Sequence, residues 1–166
     1  MNFKKESLTI ISEDEYYGYL RTVNSFSFLQ EPPWGNVKSD SRRILIGIYQ
    51  EKQLVGAAMV LVVNLISKYT ALYIARGPVL DYSNGDILHT FHDGITKLAK
   101  ENNAIFVRTD PNVINENHAP QDVSNFRNSF AETIAALKKA GFHHNGLDIK
   151  IRAYWPTPDS KSYTSV

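Results

Sequence analysis

Residues 44–78, ILIGIYQEKQLVGAAMVLVVNLISKYTALYIARGP, carry the pattern that decides the fold. Ile44, Ile46 and Ile48 recur at the two-residue period of a β-strand, and Glu51-Lys52-Gln53 supplies a tight polar turn. The stretch predicts an antiparallel meander of three strands, which cover Ile44 to Tyr49, Leu54 to Leu65, and Tyr69 to Ala75. The meander ends at Arg76-Gly77-Pro78, where Gly77 permits a sharp bend and Arg76 can face an anion.

Before the meander, Leu8 to Ile11 predicts a short strand. Ser12 is the predicted N-cap of a helix that runs to Val23, and Glu15 is its capping-box partner.

After the meander, a helix is predicted from Asn84 to Asn102, because its apolar residues form one stripe. Ala104 to Val107 is a short apolar run, as expected of a central strand that is covered on both faces. A polar loop over Pro111–Gln121 follows, and then a helix from Ser124 to Lys139, which places Phe126, Phe130, Ile134 and Leu137 on one face. Gly141 is predicted to stop this helix. A last strand from Leu147 to Ile151 and a loose tail complete the predictions.

This order of elements predicts an α/β (α+β) fold of three layers, in which helices flank a mixed, largely antiparallel sheet. It is the order of GNAT-like (N-acetyltransferase-like) folds. We expect a single lobe over residues 1–152 and a tail over residues 153–166.

Composition excludes several classes of function. The 18 basic and 17 acidic side chains give a net charge of +1, whereas a protein that neutralises many phosphates carries a basic excess. We therefore expect no DNA binding, and any RNA contact should be small or shared. The chain lacks cysteine, which fits a reducing compartment, and its start shows no secretory signal. Its longest apolar region, Leu54 to Ile66, is too short to span a bilayer. A cytoplasmic location is therefore expected.

FLQEPPWGNVK, residues 28–38, predicts a rigid turn that ends in a lysine. Its two prolines favour a short helix that begins at Pro33, with Trp34 and Val37 docked on the core. Lys38 then projects beside a buried anchor and can meet an anionic group at a fixed place. The alternative is a surface lysine next to a core tryptophan.

VRTDP, residues 107–111, closes the apolar strand. Period two places Arg108 and Asp110 on one face, and ligands of α/β sheets collect at such carboxyl ends. The carboxylate of Asp110 could accept a proton from an attacking amine. Alternatively, Asp110 starts a turn and pairs with Arg108.

Other catalytic patterns are missing from the sequence. His89 and His92 lack the HExxH pattern of zinc enzymes and read as a solvated helix face, and we predict no metal. No G-x-S-x-G elbow is present, and no glycine-rich turn precedes a helix to cradle the pyrophosphate of acetyl-CoA.

Four segments in this order resemble the Fem family of aminoacyltransferases, which build the interpeptide bridges of peptidoglycan. They are FLQEPPWGNVK, LYIARGPVLDY at residues 72–82, FVRTDPNV at 106–113 and LKKAGFHHNG at 137–146. Ala75 departs from the family, which often has proline before the Arg-Gly-Pro turn. Fem enzymes have two GNAT-like lobes, and this chain resembles the first.

The resemblance implies a transferase that takes an amino acid from aminoacyl-tRNA and attaches it to the stem-peptide lysine of a UDP-linked or lipid-linked peptidoglycan precursor. Neither CoA nor a metal is implied, and tRNA is expected to need a second lobe. Lys38 matches the lysine that contacts the precursor's diphosphate, and Asp110 matches the aspartate proposed to assist transfer. Trp34, Arg76 and Arg108 complete the predicted binding site.

Two alternatives follow from the same residues. The chain is either a non-catalytic module that binds the muropeptide precursor or, less favoured without a pyrophosphate cradle, a GNAT-type acyltransferase of small molecules. Association with a second lobe or a second copy, and proximity to the membrane through a lipid-linked precursor, are further expectations.

Overall fold

The computed structural model describes residues 6–24, 26–37, 40–113 and 130–145. Predictions that lie outside these residues include Lys38, the N-terminal part of the last helix with Phe126, the strand over Leu147–Ile151 and the tail. The elements are β1 (Glu6–Ile10), α1 (Glu13–Leu20), a 3-10 helix (Phe28–Gln30), α2 (Pro32–Val37), β2 (Ser41–Gln50), β3 (Gln53–Ile66), β4 (Tyr69–Ile74), β5 (Val79–Leu80), α3 (Gly85–Glu101), β6 (Ala104–Thr109) and α4 (Phe130–Lys139).

The strands form one mixed sheet in the order β1-β2-β3-β4-β6, and β5 also pairs with β3. All pairs are antiparallel except that of β4 with β6, which are joined through α3 and run parallel. The predicted meander is therefore present, and the predicted mixed, largely antiparallel sheet is confirmed. The two-residue strand β5 was not predicted.

The central strands bury both faces, which makes three layers. On one face, Ile44, Ile46 and Ile48 pack with Leu72 and Ile74 against the apolar stripe of α3. On the other face, the alternate residues pack in a second cluster, whose members include Tyr16 and Leu20 of α1, Leu45 of β2 and Met59 of β3. Because β-strand side chains alternate, this arrangement fixes which face each site residue can occupy.

Helix α1 begins as predicted. The Ser12 hydroxyl accepts from the Glu15 amide at 3.2 Å, and the Glu15 carboxylate accepts from the Ser12 amide at 2.9 Å. The prediction that the helix extends to Val23 was wrong, because it ends at Leu20 and a turn follows.

Helix α3 also agrees with its prediction. The Asn84 side chain caps its start by accepting from the amides of Asp86 and Ile87. All five predicted stripe residues are buried: Ile87, Leu88, Phe91, Ile95 and Leu98. Helix α4 ends at Lys139, and Gly141 adopts the predicted left-handed conformation with φ 108°. In the described part of α4, however, Thr133 is the buried residue, and the predicted face of Phe130, Ile134 and Leu137 is half-buried.

The prediction that residues 104–107 form a strand covered on both faces was wrong. In the described residues β6 lies at the end of the sheet order, and Ile105 and Phe106 are 62% and 50% exposed. Between the pairs Thr70–Ala104 and Leu72–Val107, β6 contains one more residue than β4. This bulge breaks the alternation, so that Ala104 and Val107 pack on the core while the two residues between them do not.

No helix in the described ranges has both the length and the apolar character needed to cross a bilayer.

Gly94 of α3 should be essential for the approach of this helix to β1. A Cβ atom at position 94 would overlap the Cβ of Leu8 and lie 2.9 Å from its Cδ1. We expect Gly94→Ala to lower the free energy of unfolding by about 1–3 kcal/mol, measured by urea denaturation, because a packed interface must move apart. Gly85→Ala in the same helix is the control, since its Cβ would meet nothing within 4 Å. Equal stability of the two variants would contradict this account of the packing.

Candidate functional site

The site is built around an interruption in a strand. Strands β4 and β5 both pair with β3, β4 along Leu61–Ile66 and β5 at Gly56 and Ala57. Between them, residues 75–78 leave the ladder, with Arg76 at φ 51° and a cis peptide between Gly77 and Pro78. The main-chain groups that face this gap need partners from elsewhere, because an unpaired buried amide or carbonyl is costly.

The side chain of Gln30 supplies those partners. It is fully buried, and its Oε1 accepts the Met59 N–H of β3 at 2.9 Å, while its Nε2 donates to the Ala75 carbonyl at 2.5 Å. One side-chain amide therefore stands where a peptide group of a continuous strand would be.

Tyr16 and Gly77 hold this amide in place. The Tyr16 hydroxyl lies 2.8 Å from the Gln30 carbonyl oxygen and 3.1 Å from its Oε1. Burial raises the pKa of the Tyr16 phenol, which therefore keeps its proton for these oxygens. A Cβ atom at Gly77 would lie 2.7 Å from Gln30 Cδ, so only glycine lets the bend pass the amide without displacement.

The carboxylate of Asp110 fastens the bend from the other side. Its Oδ1 accepts the Arg76 main-chain N–H at 2.8 Å, and its Oδ2 lies 3.9 Å from the Arg76 Nε. Two neighbouring contacts strengthen the arrangement, since the Thr109 hydroxyl donates to the Gly77 carbonyl and the Tyr82 hydroxyl donates to the Pro78 carbonyl at 2.5 Å. The side chains of Arg76 and Asp110 remain about one third exposed and are available to a ligand.

Tyr73 joins Arg76, Arg108 and Asp110 in this group. It lies opposite Arg108 in the ladder of β4 and β6, and its hydroxyl donates to Asp110 Oδ2 at 3.4 Å. Burial raises the pKa of the Tyr73 phenol, and the negative charge of Asp110 raises it further, while the positive charges of Arg108 and Arg76 act in the opposite direction. Because Leu72 and Ile74 face α3, Tyr73 faces the other side of the sheet, where α1 and α2 lie.

Helix α2 packs on this same side of the sheet, but differently from the prediction. It begins at Pro32 and not at Pro33, and its buried residues are Pro32 and Gly35. The small Gly35 lets the helix backbone approach Arg43 and Met59, and Arg43 donates to the Pro32 carbonyl at 2.8 Å.

Trp34 is half-buried and packs edge-on against Phe28, with ring centroids 5.5 Å apart. The prediction that Val37 docks on the core was wrong, because that side chain is 68% exposed.

The structure thus brings together three of the predicted site residues. At the carboxyl ends of β4 and β6, Asp110 contacts Arg76, and Arg108 lies opposite Tyr73 in the ladder. Trp34 lies on the same side of the sheet, and Lys38 directly follows α2 outside the described residues. Sequence reasoning missed Tyr73 and also Gln30, although Gln30 lies inside the quoted turn.

Chemically, this group combines a carboxylate that is held at Oδ1 with two guanidinium groups and a protonated phenol. Guanidinium groups bind carboxylates and phosphates, and a carboxylate held by a main-chain N–H can orient an amine or accept its proton.

Other polar groups lie away from this site. A cavity of 310 Å³ at the start of α3 is lined by Asp86, His89 and Lys139 among others. His89 is exposed as predicted, whereas His92 packs against the ring of Phe142 at 5.2 Å and is not simply solvated. No cluster of three potential metal ligands is found among the described residues.

The fold is that of the GNAT-like acyltransferases. It matches the crystal structure of FemX with a TM-score of 0.69 at 23% identity, over 86% of this chain and 33% of that one. It also matches an aminoglycoside acetyltransferase from a soil metagenomic sample, with a TM-score of 0.53 at 10% identity, over 92% of this chain and 96% of that one.

Sequence comparison places the chain more narrowly. The model of the FemAB family matches residues 11–157, and the chain belongs to this family. It is 28% identical over 142 residues to the lipid II:glycine glycyltransferase of Staphylococcus saprophyticus. The aligned region covers 82% of this chain and 31% of the relative. It is 27% identical over 106 residues to the aminoacyltransferase FemA of Staphylococcus epidermidis, covering 62% and 25% respectively. The chain therefore spans less than a third of the length of these relatives.

The role of Gln30 can be tested by replacing its amide with an apolar group. We expect Gln30→Leu to lower the free energy of unfolding by about 2–4 kcal/mol, since the Met59 amide and the Ala75 carbonyl both lose a buried partner. Urea denaturation monitored by tryptophan fluorescence measures this loss. Gln53→Leu, at an exposed position at the start of β3, is the matched control and should change stability little. A Gln30→Leu variant as stable as the control would show that the gap is satisfied without the amide.

Proposed function

We propose that this chain is the precursor-binding lobe of an aminoacyltransferase that acts on peptidoglycan. In this proposal the donor is aminoacyl-tRNA, the acceptor is the stem-peptide lysine of a UDP-linked or lipid-linked muropeptide, and neither CoA nor a metal takes part. Membership of the FemAB family and the names of its relatives, a glycyltransferase and an aminoacyltransferase, support this class of reaction.

The observation that carries the proposal is the contact between Arg76 and Asp110. These residues are 34 positions apart in sequence, and they belong to two of the segments that resemble the family. Both remain partly exposed, at the ends of adjacent parallel strands. An acceptor that carries both an amine and acidic groups would find complementary charges there.

The proposed chemistry needs little beyond positioning, because the aminoacyl ester of the donor is already activated. The acceptor amine forms a C–N bond with the ester carbonyl carbon, and the C–O bond to the tRNA ribose breaks. The amine loses a proton to Asp110 Oδ2, and Asp110 then passes this proton to the departing ribose oxygen and returns to its ionised form. Asp110 Oδ1 is held by the Arg76 amide, which leaves Oδ2 as the oxygen that faces the amine.

The binding residues divide between two parts of the lobe. Lys38, at the end of the turn anchored by Trp34, is proposed to contact the diphosphate of the precursor. Arg76 and Arg108 are proposed to contact acidic groups of the stem peptide near Asp110. A second lobe is proposed to hold the tRNA, and proximity to the membrane would follow from a lipid-linked acceptor.

A non-catalytic module that binds the precursor through Arg76 and Arg108, without transferring an amino acid, is the second candidate. Binding of UDP-muropeptide measured by calorimetry is expected under both proposals and not for an acyltransferase of small molecules. Transfer from aminoacyl-tRNA by this polypeptide, with and without a second lobe added, separates the two.

Lys38→Ala should weaken binding of UDP-muropeptide by about 10- to 100-fold, because a charge-assisted contact with the diphosphate is lost. Calorimetry measures the affinity, and far-UV circular dichroism confirms that the fold is intact. Lys52→Ala, which removes an exposed lysine from the β2–β3 turn, is the control and should bind normally. If Lys38→Ala binds as tightly as the control, Lys38 has no part in precursor recognition.

Asp110→Asn should slow transfer by about 100-fold or more while leaving precursor binding almost unchanged. The asparagine oxygen can still accept the Arg76 N–H, so the bend is kept and only the proton acceptor is lost. Single-turnover transfer to UDP-muropeptide measures the rate, in whichever polypeptide combination shows wild-type transfer. An undiminished rate would assign Asp110 a structural role alone.

A further inference from the structure

The carboxylate of Asp110 lies just beyond the end of β6, where the strand no longer holds it firmly. Strand β6 ends at Thr109, and the Asp110 amide reaches the Ile74 carbonyl only at 3.4 Å. The orientation of its side chain therefore depends on side-chain contacts more than on the ladder. Oδ1 has a short main-chain partner in the Arg76 amide, whereas Oδ2 meets the Tyr73 hydroxyl at 3.4 Å and the Arg76 Nε at 3.9 Å.

Tyr73, in contrast, is held rigidly. It lies within β4, one residue before its end, and is paired with Leu61 of β3 on one side and with Arg108 of β6 on the other. Its neighbours Leu72 and Ile74 are both fully buried in the α3-side core, so the backbone at Tyr73 has little freedom. The ring is directed to the opposite face of the sheet. Its hydroxyl is therefore held in a defined place, from which it can orient the less firmly held carboxylate of Asp110.

We propose that Tyr73 is a positioning residue of the transfer site, whose hydroxyl fixes the Asp110 carboxylate in the orientation that presents Oδ2 to the acceptor amine. Without the hydroxyl, Oδ1 still accepts from the Arg76 amide, but Oδ2 loses the Tyr73 donor, so that the carboxylate is oriented through one oxygen and no longer through both. The Tyr73 phenol keeps its own proton throughout. Burial and the adjacent carboxylate raise its pKa above the ordinary value, so the hydroxyl remains a donor at neutral pH.

The catalytic part of this inference rests on the proposed function, and the contact itself can be tested without it. The charged groups that influence the phenol are Asp110, Arg76 and Arg108. Replacement of Asp110 by asparagine removes the negative charge that opposes phenolate formation. We therefore expect Tyr73 to titrate at a lower pH in Asp110→Asn than in the wild-type chain, measured by carbon-13 NMR of ring-labelled tyrosine. Assignment of the signal comes from its loss in Tyr73→Phe.

The functional test uses Tyr73→Phe, which removes one oxygen and keeps the packed ring. We expect kcat for transfer to fall about tenfold, with KM for UDP-muropeptide unchanged, because the hydroxyl orients the proton acceptor and contacts no substrate in the bound ground state. Tyr69→Phe is the control, since it removes the hydroxyl of a tyrosine on the same strand that is 44% exposed, and it should retain wild-type kinetics.

The outcomes separate the two proposals. If the wild-type chain and any second lobe show no transfer, the proposed function fails, and the titration still decides whether Tyr73 and Asp110 are coupled. A Tyr73 titration that is unchanged in Asp110→Asn overturns the positioning role, as does a Tyr73→Phe variant with wild-type kcat. A rise in KM with unchanged kcat would also overturn it, because Tyr73 would then be a binding residue.

Discussion

The hydrogen bonds of one buried glutamine hold this structure together where its sheet is interrupted. Where β4 and β5 separate along β3, the ladder lacks a peptide group, and the Gln30 side chain supplies both the donor and the acceptor that are missing. The same amide connects the segment before α2 to the Arg76-Gly77-Pro78 bend. The turn that leads to Lys38 and the bend that carries Arg76 are thus fixed relative to each other by one side chain.

Much of the fold could be predicted because its signals are local and strong. The alternation in β2, the apolar stripe of α3 and the Ser12–Glu15 capping box all involve residues close in sequence. The errors have tertiary causes. Residues 104–107 look like a buried strand, but a bulge turns Ile105 and Phe106 out of the core. Helix α2 buries Gly35, because a residue without a side chain permits close contact with Arg43 and Met59, while Trp34 packs half-buried against the second cluster.

The candidate site was predictable only in part. Arg108 and Asp110 follow from strand periodicity and from the rule that ligands collect at the carboxyl ends of strands. The contact of Asp110 with Arg76 depends on a parallel pairing that no short stretch of sequence reveals. Gln30 carries no local signal at all, since its partners lie 14, 29 and 45 residues away, and a glutamine in a polar turn is ordinarily solvated.

The close fit of Gly77 against Gln30 has a consequence for how this sequence can diverge. Any side chain at position 77 needs the space that the amide now fills, and a shorter residue at position 30 would leave Met59 and Ala75 without partners. Substitutions at positions 30 and 77 are therefore not independent of each other. Among natural relatives that keep this bend, a change at one of them should be accompanied by a compensating change at the other.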